Sequence, residues 1–285
     1  MKSTLRSSLA VLCALGSVSA YALQPLNTDD AGTVGAGGNQ LEFSVDRTRA
    51  RESGESGRDR GLELGFGYTR GITETLDLSI ATAHLRSHPG IGDEPHKKAN
   101  GMGNIEIGAK WRFFENEKSG TSIALAPTLV MPTSKSRQND LGTTGRLSGS
   151  LGVLLTQEVA FGSLNFNAGL GKNRFRQIYN DSGDPTVATS ETTRNLSFAP
   201  IWAVTETFQL AADIGVEWAK ANKSEDESGD LISKSHTTRT RFAGLGAIWT
   251  PHKDVDLAVG YFRARDNEKP KGTENSIRAG VTFRF

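Results

Sequence analysis

The chain has 285 residues and a formal net charge of +1, a length that suits one large domain or two ordinary ones. Its mean hydropathy is negative, and no run after the N-terminus reaches the roughly 20 apolar residues that a membrane-spanning helix needs. This excludes membrane helices but not a membrane barrel, because only every second residue of a barrel strand faces lipid. The small net charge gives no support for nucleic-acid binding.

The N-terminus has the parts of a secretory signal peptide. Lys2 and Arg6 supply the positive start, an apolar run follows, and an A-x-A cleavage motif ends at Ala22. We therefore expect residues 1–22 to be removed, with cleavage after Ala20 as the alternative. Cys13, the only cysteine, lies in this peptide, so the mature chain is expected to contain no disulfide and no cysteine metal site.

The next segment, residues 23–39, forms a leader and not a strand. Residues 23–38 read L-Q-P-L-N-T-D-D-A-G-T-V-G-A-G-G, which is rich in Pro, Gly and Asx turn residues and has no clear period.

From residue 40 onward, apolar and polar residues alternate with a period of two, which is typical of strands that have one apolar face. The clearest case is Gly61–Arg70, where four bulky apolar residues alternate with Gly and Glu. The sequence predicts about twelve such strands, at residues 40–49, 61–70, 76–81, 104–113, 123–131, 151–155, 164–170, 198–204, 208–218, 238–250, 255–261 and 274–285.

One of these strands, residues 238–250, is ambiguous in phase. Leu245, Ala247 and Trp249 are our choice for its lipid-facing side, while Phe242 and Ile248 favour the opposite phase. A β-bulge could reconcile the two patterns.

The links between the predicted strands alternate between long, polar segments and short turns. Outer-membrane barrels have this rhythm, with short periplasmic turns, long external loops and an even number of strands. A soluble sandwich or a large soluble barrel also alternates, but it explains neither the signal peptide nor this rhythm. We predict that residues 40–285 form an all-β, antiparallel, up-and-down transmembrane β-barrel of about twelve strands in a bacterial outer membrane.

The last predicted strand ends on an aromatic residue. In Glu274–Phe285, Ile277, Ala279, Val281, Phe283 and Phe285 share one face. This ending resembles the C-terminal signature of bacterial outer-membrane barrels, which implies that Phe283 and Phe285 act as an assembly signal for the barrel-assembly machinery.

Three stretches resemble a known family. They are P-L-N-T-D-D-A-G-T-V-G-A-G-G-N-Q-L-E from Pro25, G-M-G-N-I-E-I-G-A-K-W-R-F-F from Gly101, and M-P-T-S from Met131. Together they are similar to the outer-membrane family of the MetA pathway of phenol degradation. Asn104 stands where similar proteins commonly carry Asp, which argues against an ion pair there. The resemblance implies an outer-membrane protein that passes hydrophobic or aromatic compounds.

Charged residues recur on the predicted lumen side of the strands, where they avoid the cost of facing lipid. Asp46 is one of them, and the candidate lumen-lining set is Glu42, Glu63, Asp77, Glu106, Lys110, Arg112, Asp213, Glu217, Asp256, Arg278 and Arg284. Two roles stay open for this set. The charges either neutralise one another and hold strand register, or they select the solute that passes.

The glycines on the same face and the leader also have two interpretations each. The glycines either leave open volume for a solute or permit the bends that close a barrel. The leader is either a small hatch in the lumen or a periplasmic tail. Since twelve strands lie between the filled eight-stranded barrels and the open porins, we expect a narrow or gated passage.

Catalysis and metal binding have weak support. His84, His88, His236 and His252 have no spacing that ties them to a nucleophile. His88 and His96, with Asp93 or Glu94 between them, match no familiar set of metal ligands. We expect no enzyme activity, cofactor or metal.

The basic residues Lys234, Arg239 and Arg241 either contact lipopolysaccharide phosphates or are ordinary solvated loop charges. The sequence therefore predicts a channel or transporter for small hydrophobic or aromatic compounds, embedded in lipid and lipopolysaccharide. The alternative is a non-transporting structural or surface-binding barrel.

Overall fold

The structure is a computed structural model, and it describes residues 25–55, 57–88, 90, 98–133, 141, 143–175, 190–222, 224–225, 231–233 and 235–285. The predicted signal peptide and the first two leader residues lie outside the described residues. So do four residues named in the sequence interpretation: Asp93, Glu94, His96 and Lys234.

Twelve antiparallel strands form a closed barrel, which confirms the predicted fold class and strand number. The barrel strands are β1 (Asn39–Glu52), β2 (Asp59–Thr73), β3 (Leu76–His88), β4 (Ala99–Asn116), β5 (Thr121–Met131), β6 (Ser148–Val159), β7 (Gly162–Arg174), β8 (Ser190–Ala203), β9 (Phe208–Ala221), β12 (His236–His252), β13 (Val255–Arg265) and β14 (Gly272–Arg284). Two short strands, β10 (Ser224–Glu225) and β11 (Leu231–Ser233), pair with each other outside the barrel sheet. No helix among the described residues is long and apolar enough to cross a membrane.

The first and last strands close the barrel. β1 pairs with β14 from Gln40 opposite Arg284 to Glu52 opposite Gly272. Beyond Gln40, Asn39 and Phe285 exchange two backbone hydrogen bonds of 2.9 and 3.0 Å. The last residue of the chain therefore belongs to the seam through its backbone, while its side chain is 68% exposed.

The two ends of the barrel differ in the length of their links. One end, the short-turn end, has the links 74–75, 117–120, 160–161, 204–207 and 253–254. The other end, the long-loop end, has the links 53–58, 89–98, 132–147, 175–189, 222–235 and 266–271. Several strands extend further toward the long-loop end than their apolar pattern predicted. β1 is predicted to end at Arg49 and continues through Arg51 to Glu52, because strand pairing uses the backbone and continues where the outward side chains are charged.

The apolar strand faces point outward. Phe43 and Leu245 are 45% and 69% exposed, as lipid-facing side chains of an isolated barrel should be. In β12, Trp249 also points outward, while Ile248 is 4% exposed and Phe242 packs against the interior. The predicted phase of this strand is thus confirmed. No bulge is needed, since its pairing with β9 is continuous from His236 to Trp249.

Candidate functional site

The described part of the leader lies inside the barrel and contacts opposite sides of its wall. Leu26 is 1% exposed and packs with four wall residues of β8, β9 and β13, namely Ala199, Ile201, Ala211 and Phe262. Ala31 is fully buried and packs with Ala124 of β5 and Leu154 of β6. The leader therefore crosses the lumen.

Asp213 of β9 holds the first part of the leader. Its side chain is fully buried. Its carboxylate accepts hydrogen bonds from the Asn27 N–H (2.5 Å), the Thr28 N–H (3.2 Å) and the Thr28 hydroxyl (2.6 Å). Arg278 of β14 donates to the Asn27 side-chain oxygen at 2.6 Å and pairs with Asp46 at 2.9 Å. Residues from two strands thus fix two consecutive leader residues.

Lys110 of β4 holds the middle of the leader. Its ammonium lies 2.9 Å from the Asp29 carboxylate and donates to the Asp30 carbonyl at 3.1 Å. In the orientation that satisfies both of its groups, the Asn167 amide of β7 accepts from the Asp29 N–H (2.7 Å) and donates to the Asp29 carbonyl (2.9 Å). Burial raises the pKa of the Asp29 carboxyl, an effect that the Lys110 charge opposes.

The last part of the leader follows the wall toward β1. The Ala31 N–H donates to the Thr156 hydroxyl of β6 at 2.8 Å, and the Val34 N–H donates to the Asp77 carboxylate of β3 at 2.9 Å. The chain then passes close to Gly71 of β2, where a Cβ atom would overlap the Gly35 carbonyl. Gly35 itself has φ of +87°, a left-handed conformation that favours glycine. The leader reaches β1 by this tight turn at the short-turn end.

Several lumen glycines provide space for bulky inward groups. A Cβ at Gly244 would overlap the ring of Phe262, and one at Gly215 would overlap the ring of Phe242. Cβ atoms at Gly246 and Gly260 would lie 2.6 and 2.7 Å from the ring carbons of Pro25 in the leader. These four glycines therefore leave no empty volume for a solute. Inward aromatic rings and the leader occupy the space that a side chain at each of these positions would need.

All eleven residues of the predicted lumen-lining set lie on the strand face opposite the exposed apolar side chains. Four of them contact the leader directly, namely Asp77, Lys110, Asp213 and Arg278. Near the short-turn end, Arg284 pairs with Asp256. At the same end, Glu42 accepts a hydrogen bond from Gln40 at 2.9 Å. Arg112 lies 3.1 Å from Glu115 and donates to the Glu74 carbonyl at 2.9 Å.

The other three members, Glu63, Glu106 and Glu217, form no ion pair within the described part of the chain. Glu63 and Glu217 lie toward the long-loop end, and Glu63 is exposed within the lumen. Glu191 and Glu274 also face inward in that half. Among the described strands, the long-loop half of the lumen is therefore lined mainly by acidic residues.

A small recess lies beside the leader, next to Asn27. It is lined by Asn27, Phe242, Phe262, Ala264, Glu274, Ser276 and Arg278. The Arg278 guanidinium stands 4.3 Å from the centroid of the Phe262 ring, a cation–π geometry. The recess combines two aromatic rings with one cation and one carboxylic acid.

Sequence reasoning missed the partners that the leader provides. The sequence interpretation includes Asn27 and Asp29 only among the turn residues of the leader, and it gives no role to Thr28 or Asn167. Short Asx and Thr residues frequently bond to backbone in turns, so their presence gave no sign of a distant partner. A detectable signal was the run L-N-T-D-D, because so many hydrogen-bonding groups beside Leu26 need partners once the segment is buried.

Among the described residues, no group of three His, Cys, Asp or Glu side chains could hold a metal ion.

Comparison with known proteins places this barrel among outer-membrane proteins. The family model described as the MetA-pathway of phenol degradation matches residues 23–285. An outer membrane channel from Pseudomonas putida F1 superposes with a TM-score of 0.68 at 13% identity, over 90% of this chain and 98% of that one. No curated protein matches the chain.

Two further solved barrels are similar in fold. The translocator domain of the autotransporter NalP from Neisseria meningitidis gives a TM-score of 0.53 at 17% identity, over 88% of this chain and 89% of that one. The NanC porin gives a TM-score of 0.50 at 11% identity, over 85% and 98%. At these identities the likeness establishes a shared fold.

Proposed function

The chain belongs to the family of the MetA-pathway of phenol degradation, and we propose that this outer-membrane β-barrel is a channel for small apolar or aromatic compounds. The observation that carries the proposal is the recess in the lumen wall that Arg278 and the inward rings of Phe242 and Phe262 line. Aromatic rings bind apolar and aromatic solutes by burial and by edge-to-face contact. The similar barrels named above are channels and a translocator, and we assign no reaction to this chain.

We propose that the leader is a hatch that closes the lumen. Polar contacts hold it at Asp213, Lys110, Thr156 and Asp77. Among the described leader residues, the apolar side chains buried against the wall are those of Pro25, Leu26 and Ala31. Water can replace hydrogen bonds at modest net cost, so a segment held in this way can leave the wall without unfolding the barrel. Passage of a solute would require such a displacement.

The acidic long-loop half of the lumen supports selection by charge. Glu63, Glu217 and Glu274 face inward there, and Arg278 is the nearest inward cation among the described strands. A lumen lined by acids disfavours anions. We therefore propose that neutral aromatic compounds pass more readily than aromatic carboxylates of the same size.

The test is solute flux into proteoliposomes that contain the folded barrel, with phenol, benzoate and a small neutral sugar as probes. The leader deletion Gln24 to Gly35 is compared with the intact chain, and protein-free vesicles give the leak. We expect flux in the order phenol, sugar, benzoate, and a clear rise in flux on deletion of the leader. Equal flux of all three probes would contradict selectivity. Unchanged flux in a deletion variant that folds normally would contradict the hatch.

A non-transporting barrel is the second candidate, because the leader crosses the lumen and anchors to several strands. In that case the leader would be a permanent internal support. The deletion variant distinguishes the two roles. A support predicts loss of barrel stability with no phenol flux, while a hatch predicts flux through a barrel of nearly unchanged stability.

Two interactions with the cell envelope complete the proposal. We propose that the barrel-assembly machinery recognises the terminal strand through Phe283 and Phe285, which are 41% and 68% exposed. We also propose that the barrel contacts lipopolysaccharide. Arg239 and Arg241 support this contact, because they are exposed on the outer surface near the long-loop end. By the general rule for such barrels, that end faces the cell exterior.

A further inference from the structure

Basic side chains are concentrated on the outer surface of the barrel near the long-loop end. Eight strands, β1 to β3, β7 to β9, β12 and β13, carry outward-facing, exposed Arg or Lys residues in that half. We name this set of residues the basic belt. On the same outward faces, none of the described strand residues in that half is Asp or Glu. The acids of this half face the lumen instead, so the two signs of charge are separated across the barrel wall.

The belt contains two pairs of arginines that lie directly opposite each other on neighbouring strands. Arg49 of β1 is in register with Arg60 of β2, and Arg241 of β12 is in register with Arg265 of β13. Such positions have Cβ atoms roughly 4.5 to 5.5 Å apart, and like charges there are destabilising. None of the four forms an ion pair within the described part of the chain. An anion placed between the members of each pair would convert repulsion into attraction.

The belt has a gap one strand wide at β14 and a gap three strands wide at β4, β5 and β6. The outward-facing residues of β4, β5 and β6 include no Arg or Lys among those described. Met102, Leu129 and Leu151 occupy this side and are 48%, 41% and 47% exposed. A basic girdle that served only to mark the membrane boundary would be expected all round, so the interruption indicates a surface for a particular partner.

We propose that the basic belt binds the phosphorylated glycolipid of the outer leaflet, with one phosphate bridging each opposed arginine pair. Arginine suits this role because its guanidinium binds phosphate with two parallel hydrogen bonds. The side formed by β4 to β6 remains free of this lipid. The inference rests on the outer-membrane location and on the proposed contact with lipopolysaccharide. It does not depend on passage of a solute through the lumen.

The test measures binding of the folded barrel to three lipids: lipopolysaccharide with both lipid A phosphates, the same lipid after dephosphorylation, and phosphatidylglycerol. The variants are Arg49→Gln with Arg60→Gln, and Arg241→Gln with Arg265→Gln. The matched control is Lys118→Gln with Lys253→Gln, which removes the same charge from exposed turns at the other end. At about 1 kcal/mol for each basic residue near an anionic surface, each paired variant should bind phosphorylated lipopolysaccharide about 30-fold more weakly. The control should bind as the parent does.

Thermal unfolding separates lipid binding from a structural role. In neutral detergent, each paired arginine variant should unfold at the same temperature as the parent or a higher one, because the opposed charges are gone. In phosphorylated lipopolysaccharide it should unfold at a lower temperature than the parent. Three results would overturn the proposal: equal destabilisation in both media, equal binding of all three lipids, or a control that loses as much affinity as the arginine variants.

Discussion

Replacing Asp213 with Ala should release the first part of the leader. Three hydrogen bonds end on this buried carboxylate, from two backbone N–H groups and one hydroxyl. Hydrogen bonds to a charged group contribute about 1.5 to 3 kcal/mol each, and they are not additive, so we expect a loss of about 3 to 5 kcal/mol in leader docking. The lower figure shifts the docking equilibrium by about 150-fold.

The assay is phenol flux into proteoliposomes for the parent, the Asp213→Ala variant and the leader deletion. The contacts at Lys110 and Thr156 remain in the variant, so its flux should lie between the other two. Thr240→Ala is the control, because Thr240 faces the lumen from β12, is 5% exposed and makes no described hydrogen bond to the leader. Its flux should equal that of the parent.

The reasoning would be refuted if Asp213→Ala folded normally and left flux at the parent level while the leader deletion raised it. Thr28→Ala gives an independent check, because it removes a single one of the three hydrogen bonds. Its effect should be smaller. Combined with Asp213→Ala it should add almost nothing, since both changes break the same contact.

Three further predictions test the packing, the terminal strand and the charge of the leader. Gly244→Ala places a methyl group against the Phe262 ring and should lower the free energy of unfolding, measured by urea titration, by about 1 to 3 kcal/mol. Gly152→Ala is the control. Its Cβ would lie 3.7 Å from that of Ala126, so the free energy of unfolding should hardly change. Phe285→Ala should reduce assembly into the outer membrane of cells. It should leave the urea midpoint of barrel refolded in detergent unchanged, because Phe285 closes the barrel through its backbone. An equal fall in assembly and in the urea midpoint would show that the side chain acts through stability. The raised pKa of Asp29 means that the docked leader binds a proton more tightly than the free one, so docking should strengthen and phenol flux should fall as the pH drops from neutral toward 4. Asp30 and Lys110 face this carboxyl, and Asp29→Asn should weaken the pH dependence; an unchanged profile in that variant would assign it to other groups.

The sequence by itself determined the barrel, because the information is local. Alternation with a period of two sets the face of each side chain, and the lengths of the links set the order of the strands. For this reason the strand number and the outward phase of Leu245 and Trp249 could be predicted from residues that are neighbours in the chain. Strand ends were less predictable, since β1 continues to Glu52, three residues beyond its predicted end at Arg49.

The placement of the leader was decided by tertiary structure. Asn27 and Thr28 find their partner at Asp213, about 185 positions away in sequence, and nothing in the spacing of either segment indicates that they meet. The two opposed arginine pairs differ in this respect. The pairing of Arg49 with Arg60 can be predicted by counting residues outward from the link between β1 and β2. The pairing of Arg241 with Arg265 cannot be predicted in this way, because the register of β12 and β13 shifts near the turn after Trp249. Local periodicity fixes which way a side chain points, whereas only closure of the barrel fixes what it meets.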